Sequence, residues 1–150
     1  MNKRLFITIS IVSASVLLLV IQLGRFAVDA SLHDWYEGFS GYQQAVAEQR
    51  TTGKPLALFF YTDWCDSCKK LRNTVLSSNE FSTYKSQLIA LKINPEYGAQ
   101  EKSIADQFGV FSYPTFIILK ADSAKPHYVR KTNDITPSEF IQACNVAIQS

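Results

Sequence analysis

The stretch YTDWCDSCKK, residues 61–70, sets Cys65 and Cys68 two residues apart, behind Trp64 and ahead of Lys69 and Lys70. Just upstream, LALFFYT at 56–62 is a continuous apolar run of strand length, the pattern of a strand buried on both faces. Downstream, CDSCKKLRNTVLSS reads as a helix, with Leu71 and Val75 one turn apart and Cys68 behind them. The pair therefore falls at a strand-to-helix junction. Unpaired backbone N–H groups and partial positive charge at the helix's amino end stabilise a thiolate on Cys65. Cys68 comes round one turn later, near enough to bridge Cys65 and more shielded. Cys65 is thus expected to attack and Cys68 to resolve the mixed disulfide by thiolate exchange. Lys69 and Lys70 favour the thiolate, whereas Asp66 opposes it.

Other uses of the pair are poorly supplied. A structural zinc site usually takes four Cys or His ligands. Beyond the pair the chain offers Cys144, His33 and His127, with no second close pair, so no metal and no cofactor is expected. A purely structural disulfide across one turn closes almost no loop and gains little. Cys144, in IQACNVAIQS, reads as a buried free thiol packing as a small hydrophobe.

With 150 residues, 47% of them hydrophobic and 13% aromatic, the chain suits one compact domain with a substantial core. The net charge is +2, and apart from Lys3 and Arg4 the 13 basic residues balance 13 acidic ones. No basic run invites nucleic acid.

The amino terminus is different in kind. Lys3 and Arg4 precede an uncharged run, and the nineteen residues 5–23 reach about 28 Å as a helix, close to a bilayer's hydrocarbon thickness. Residues 1–30 are read as a single-pass membrane anchor. Alternatively they form a signal peptide cleaved near Ala30, where Val28 and Ala30 occupy the recognised places, although the apolar run is long for a signal. The positive-inside rule keeps the amino terminus cytoplasmic and places the body on the extracytoplasmic side of the membrane. A lone CxxC in that oxidising compartment is not expected to be idle.

Residues 31–38 then read as a linker with aromatic anchors, and 39–150 as the domain. FSGYQQAVAEQR at 39–50 puts Phe39, Tyr42, Ala45 and Val46 on one helical face, and Gly53 and Pro55 end that helix. LIALKIN at 88–94 is a second buried strand, and AQEKSIADQFGV a helix ending at Gly109. TFIILK at 115–120 is a third strand, with HYVRKT at 127–132 its hairpin partner. TPSEF opens the last helix, with Thr136 as cap, Pro137 at its first position, Glu139 at its third, and Phe140, Ile141, Cys144 and Ile148 as its apolar set. This order predicts an α/β fold with a mixed central sheet covered on both faces. In FGVFSYPTFIIL, Pro114 stands immediately before a buried strand, where proline is tolerated only at the start.

Taken together, strand–WCDSCKK–helix, a strand ending in KIN, and SYPTFIIL about fifty residues on resemble the thioredoxin superfamily over roughly residues 40–149. Within it, YTDWCDSCKKL is most similar to the carboxy-terminal thioredoxin-like domain of the periplasmic DsbD thiol–disulfide interchange reductases and to its small single-domain relatives. The resemblance implies a thioredoxin-like fold, a redox-active Cys65–Cys68 disulfide, and a cis Tyr113–Pro114 bond beside it. It also implies a substrate-binding surface made by Trp64, Tyr113 and Pro114. Two positions depart from the family pattern: Phe59 replaces the usual buried acid six places before the first cysteine, and Arg72 replaces a glutamate seven places after it. Proton handling then falls to water or to Asp63 and Asp66.

The expected function is a membrane-anchored thiol–disulfide oxidoreductase reducing disulfides of extracytoplasmic proteins and reset by a membrane dithiol donor. The alternatives are a disulfide oxidase or isomerase, and a non-catalytic thioredoxin-like binding module.

Overall fold

The apolar runs of the sequence become the inner strands of one five-stranded sheet in the computed structural model, which describes residues 32–129 and 134–150. The expected anchor at 1–30 lies outside the described residues, as does the end of the expected strand 127–132. Among the described residues no helix is long and apolar enough to cross a membrane.

From Asp34 on, the elements are β1 (Tyr36–Glu37), α1 (Gly38–Thr52), β2 (Leu56–Phe60), α2 (Asp66–Leu71), a π-helical stretch (Arg72–Leu76), α3 (Asn79–Lys85), β3 (Ile89–Ile93), α4 (Ala99–Gln107), β4 (Thr115–Leu119), β5 (Pro126–Tyr128) and α5 (Pro137–Gln149). The sheet order is β1-β3-β2-β4-β5. β1, β3 and β2 run parallel; β4 is antiparallel to β2, and β5 to β4. The expected mixed α/β sheet is present.

Each face of β2 meets a different core, which is why its run is apolar without alternation. Leu56, Leu58 and Phe60 join Ile89, Leu91, Ile93 and Ile117 beneath α1 and α4, which supply Ala45, Ile104 and Ala105. Phe39, Tyr42 and Val46 pack against that core, as their spacing predicts. α1 can lie this close because Gly41 has no side chain; a Cβ there would stand 3.1 Å from the Tyr36 backbone.

On the opposite face Phe59 joins an aromatic cluster. Its ring centroid lies 6.3 Å from Trp35 and 6.4 Å from Phe116, and Phe81 and Phe140 complete the group. Such rings carry much of a core's apolar area and add edge-to-face attraction. The linker expected over 31–38 is in part a piece of the domain. Trp35 is buried in this cluster, and Tyr36 and Glu37 pair with Leu91 and Lys92 of β3.

The helix expected over 65–78 is shorter than its pattern. It passes into the π-helical stretch after Leu71, and a separate helix, α3, begins where the Ser78 hydroxyl accepts the Phe81 N–H at 3.1 Å. α5 begins as expected, with the Thr136–Glu139 capping box formed and Phe140 and Cys144 on its buried face.

Trp35→Ala and Phe59→Ala should each lower the stability of the domain by about 3–5 kcal/mol, the usual cost of emptying a buried aromatic site. Because the rings touch, the double variant should lose less than the sum. Urea unfolding of the four proteins checks both points, and a neutral Trp35→Ala would return residues 34–37 to a linker.

Candidate active site

β2 hands the chain to the turn at 61–63, tied to the neighbouring strand by the Tyr61 N–H donating to the Ile93 carbonyl at 3.1 Å. The Thr62 carbonyl accepts the Cys65 N–H at 3.3 Å, closing a tight turn that delivers Cys65 to the N-cap of α2. There the Cys65 Sγ accepts the Cys68 N–H at 3.1 Å. This is the backbone donor that the sequence reading expects to hold a thiolate.

Cys65 and Cys68 are joined, with an S–S distance of 2.08 Å and Cα atoms 5.2 Å apart. Both are buried, Cys65 at 5% exposure and Cys68 at 3%. Cys144 is a separate, free thiol on the inner face of α5, and burial pushes its pKa up to about 12.

Trp64 projects into solvent at 66% exposure, its indole N–H donating to the Glu96 carboxylate at 2.9 and 3.1 Å. Its ring meets Tyr113 edge-on, centroids 6.4 Å apart. The Tyr113–Pro114 bond is cis, as the resemblance implies, and Pro114 is buried immediately before β4. α4 delivers the chain to that turn through a Schellman-type end, with Gly109 at φ +60° and the Val110 N–H donating to the Ala105 carbonyl at 2.9 Å. Phe111, next in the chain, is 92% exposed.

Sequence reasoning missed the third loop of the site. After β3, the Asn94 side chain accepts the Glu96 N–H at 3.0 Å and its carbonyl accepts the Tyr97 N–H at 3.1 Å. That turn carries Glu96 to Trp64, and Tyr97 to Asp63, whose carboxylate accepts the tyrosine hydroxyl at 3.1 and 3.2 Å. The Asn-Pro pair marks a turn in the sequence. Nothing in the local pattern says which residues it faces.

The two lysines expected to favour a Cys65 thiolate are otherwise engaged. Lys69 pairs with Asp66 at 3.1 Å, and Lys70 with Asp134 at 2.7 Å. The Lys70 pairing holds the Asp134 carboxyl below its ordinary range, first through the hydrogen bond and then through charge.

Behind the disulfide, Phe59 stacks on Tyr61 at 5.5 Å, with no acid at that position. Burial, above all, raises the Tyr61 hydroxyl well beyond its ordinary pKa, with Tyr97, Glu37 and Asp63 adding to it. A half-enclosed cavity of about 50 Å³ lies here, lined by Phe59, Tyr61, Thr62, Asp63, Cys68, Lys69 and Arg72. A wider groove of about 610 Å³ between β5 and α5 contains none of the site residues.

Residues 42–146 match the family model of the thioredoxin-like domain. Over 83 residues, 55% of this chain, the sequence is 28% identical to the thiol:disulfide interchange protein DsbD of Ralstonia nicotianae, of which the match spans only 14%. The fold superposes on DsbH oxidoreductase with a TM-score of 0.65 at 20% identity, covering 72% of this chain and 81% of that one. It superposes on the oxidised carboxy-terminal domain of DsbD from Neisseria meningitidis with a TM-score of 0.61 at 18% identity, covering 75% and 98%.

The reduced protein should take up a thiol-alkylating reagent first at Cys65, then at Cys68, and not at Cys144 until it is unfolded. Mass spectrometry of peptides after timed labelling at pH 7 reads this directly. Native labelling of Cys144 would show that α5 opens.

Proposed function

The chain belongs to the thioredoxin-like domain family, and from that membership and the Cys65–Cys68 pair we propose that it is a thiol:disulfide oxidoreductase working as a reductant. Cys65, as thiolate, attacks a partner's disulfide and forms a mixed disulfide with one of its sulfurs. Cys68 then displaces that sulfur, restoring the Cys65–Cys68 bond and leaving the partner reduced. Trp64, Tyr113 and Pro114 form the surface on which the partner's segment lies.

The observation that carries the direction is the engagement of Lys69 by Asp66 and of Lys70 by Asp134. Strong disulfide donors draw their oxidising power from a heavily stabilised thiolate. Here α2's amino end offers Cys65 a backbone donor, while Lys69 and Lys70 are paired with carboxylates and the carboxylates of Asp63 and Glu96 flank Trp64. Negative charge near a thiolate raises its energy and favours the disulfide. That balance suits a reductant.

The membrane part of the reading rests on composition. An uncharged run over 5–24 behind Lys3 and Arg4 supports a single-pass anchor with the domain on the extracytoplasmic side. The clients are then disulfide-bearing extracytoplasmic proteins, and the donor that resets the pair is a membrane dithiol protein.

The equilibrium reduction potential of the full chain in detergent, read by thiol trapping in dithiothreitol and glutathione buffers, tests the direction. A value near about −270 mV is expected, and one near about −120 mV would reverse the reading to an oxidase. Asp66→Asn, which removes an anion and releases Lys69, should move the potential to less negative values. If no reversible Cys65–Cys68 couple exists, the binding-module reading takes its place.

A further inference from the structure

Resolution of a mixed disulfide requires Cys68 to lose a proton while it is buried, and Phe59 contributes no base beside it. The cavity behind Cys68 contains two features suited to that task. Thr62 lines it, at 1% exposure, and its hydroxyl has no hydrogen-bond partner among the described residues. A buried hydroxyl left unpaired is costly, and a polar cavity of about 50 Å³ exceeds the roughly 10–15 Å³ that one water needs. Asp63 lines the same cavity and reaches the surface, where its carboxylate accepts the Tyr97 hydroxyl.

The other groups facing this space are poor acceptors. Lys69 and Arg72 only donate. The Tyr61 hydroxyl is directed to Glu37 at 3.4 Å and is held protonated by burial. Asp66, the other carboxylate near the pair, is exposed, bound to Lys69 and absent from the cavity lining.

We propose that Thr62 holds a water against Cys68 and that this water relays the Cys68 proton to Asp63, replacing the missing buried acid with a polar cavity. The inference rests on the oxidoreductase reading and specifies its second step. In the mixed disulfide the Cys68 S–H gives its proton to the Thr62-held water as that water passes one to the Asp63 carboxylate. The Cys68 thiolate forms a bond to the Cys65 Sγ, the bond between Cys65 and the partner's sulfur breaks, and the partner leaves as a thiolate that takes a proton from solvent. Two electrons pass from the dithiol to the partner. Thr62 is a positioning residue, since it acts on Cys68 only through the water.

The test is stopped-flow reaction of the reduced full chain with a dithiobis-nitrobenzoate probe, which releases one coloured thiolate when Cys65 attacks and a second when Cys68 resolves. Thr62→Val keeps the shape and removes the hydroxyl. It should slow the second phase at least about tenfold at pH 7 while leaving the first unchanged. The loss should disappear at alkaline pH, where hydroxide deprotonates Cys68 without help. Thr62→Ser should restore the fast phase, and Asp63→Asn, at an exposed position, should slow the second phase at neutral pH without a change in melting temperature.

A purely structural Thr62 predicts the opposite: removing a buried, unpaired hydroxyl should stabilise Thr62→Val and leave its second phase at the wild-type rate, which would overturn the relay. Should Thr62→Val fail to fold, an unchanged second phase in Asp63→Asn would do the same. Absence of the first phase in the wild-type chain would instead remove the oxidoreductase reading itself, so the two failures are separable.

Discussion

The site depends on the parallel pairing of β2 with β3. Their register, Leu56 with Ile89 through Phe60 with Ile93, brings both strands to an end at the same edge of the sheet. Because β4 runs antiparallel to β2, with Thr115 opposite Phe60, its first residue lies at that edge too. Three loops that are far apart in the chain are thereby forced together: 61–65 with the first cysteine, 94–98 with Glu96 and Tyr97, and 111–114 with the cis proline. The contacts Asp63–Tyr97, Trp64–Glu96 and Trp64–Tyr113 are the local result. Shifting β2 by one residue would exchange its two buried faces and break all three contacts at once.

The same register explains the departure at position 59. Alternation along β2 sends successive side chains to opposite cores: Leu58 and Phe60 face α1, while Phe59 faces Trp35, Phe81 and Phe116. A carboxylate among those rings would lose much of its water, and desolvation drives a carboxylate toward its neutral form. Core packing and acid–base chemistry compete for one side chain here, and this chain gives the position to packing. The cavity beside Cys68 takes its carboxylate and its unpaired hydroxyl from just beyond the strand, at Asp63 and Thr62.

Much of this was legible in the sequence. The unbroken apolar runs at 56–62 and 88–94 marked central strands, the Thr136–Glu139 spacing marked a cap, and Cys65 and Cys68 stood out as a pair at a strand-to-helix junction. What was not legible depends on partners distant in the chain. β1 is two residues long and has no periodicity to detect, and Trp35 looks like an interfacial aromatic until Phe59 and Phe81 are placed against it. Likewise Lys70 reads as a cation available to Cys65 until Asp134, sixty-four residues away, is found to hold it. The break between α2 and α3 was hidden because Leu71 and Val75 keep helical spacing across the π-helical stretch.

The two outer strands have a further significance. β1 offers two residues of backbone to a neighbour and β5 three, the first of them Pro126, which has no N–H to donate. A sheet that ends in long, flat strands is a template for any extended chain that meets it. A reductant of the proposed kind, with disulfide-bearing partners, would meet such chains repeatedly. Short borders, one of them headed by proline, leave such chains little to zip onto, which disfavours aggregation along the sheet.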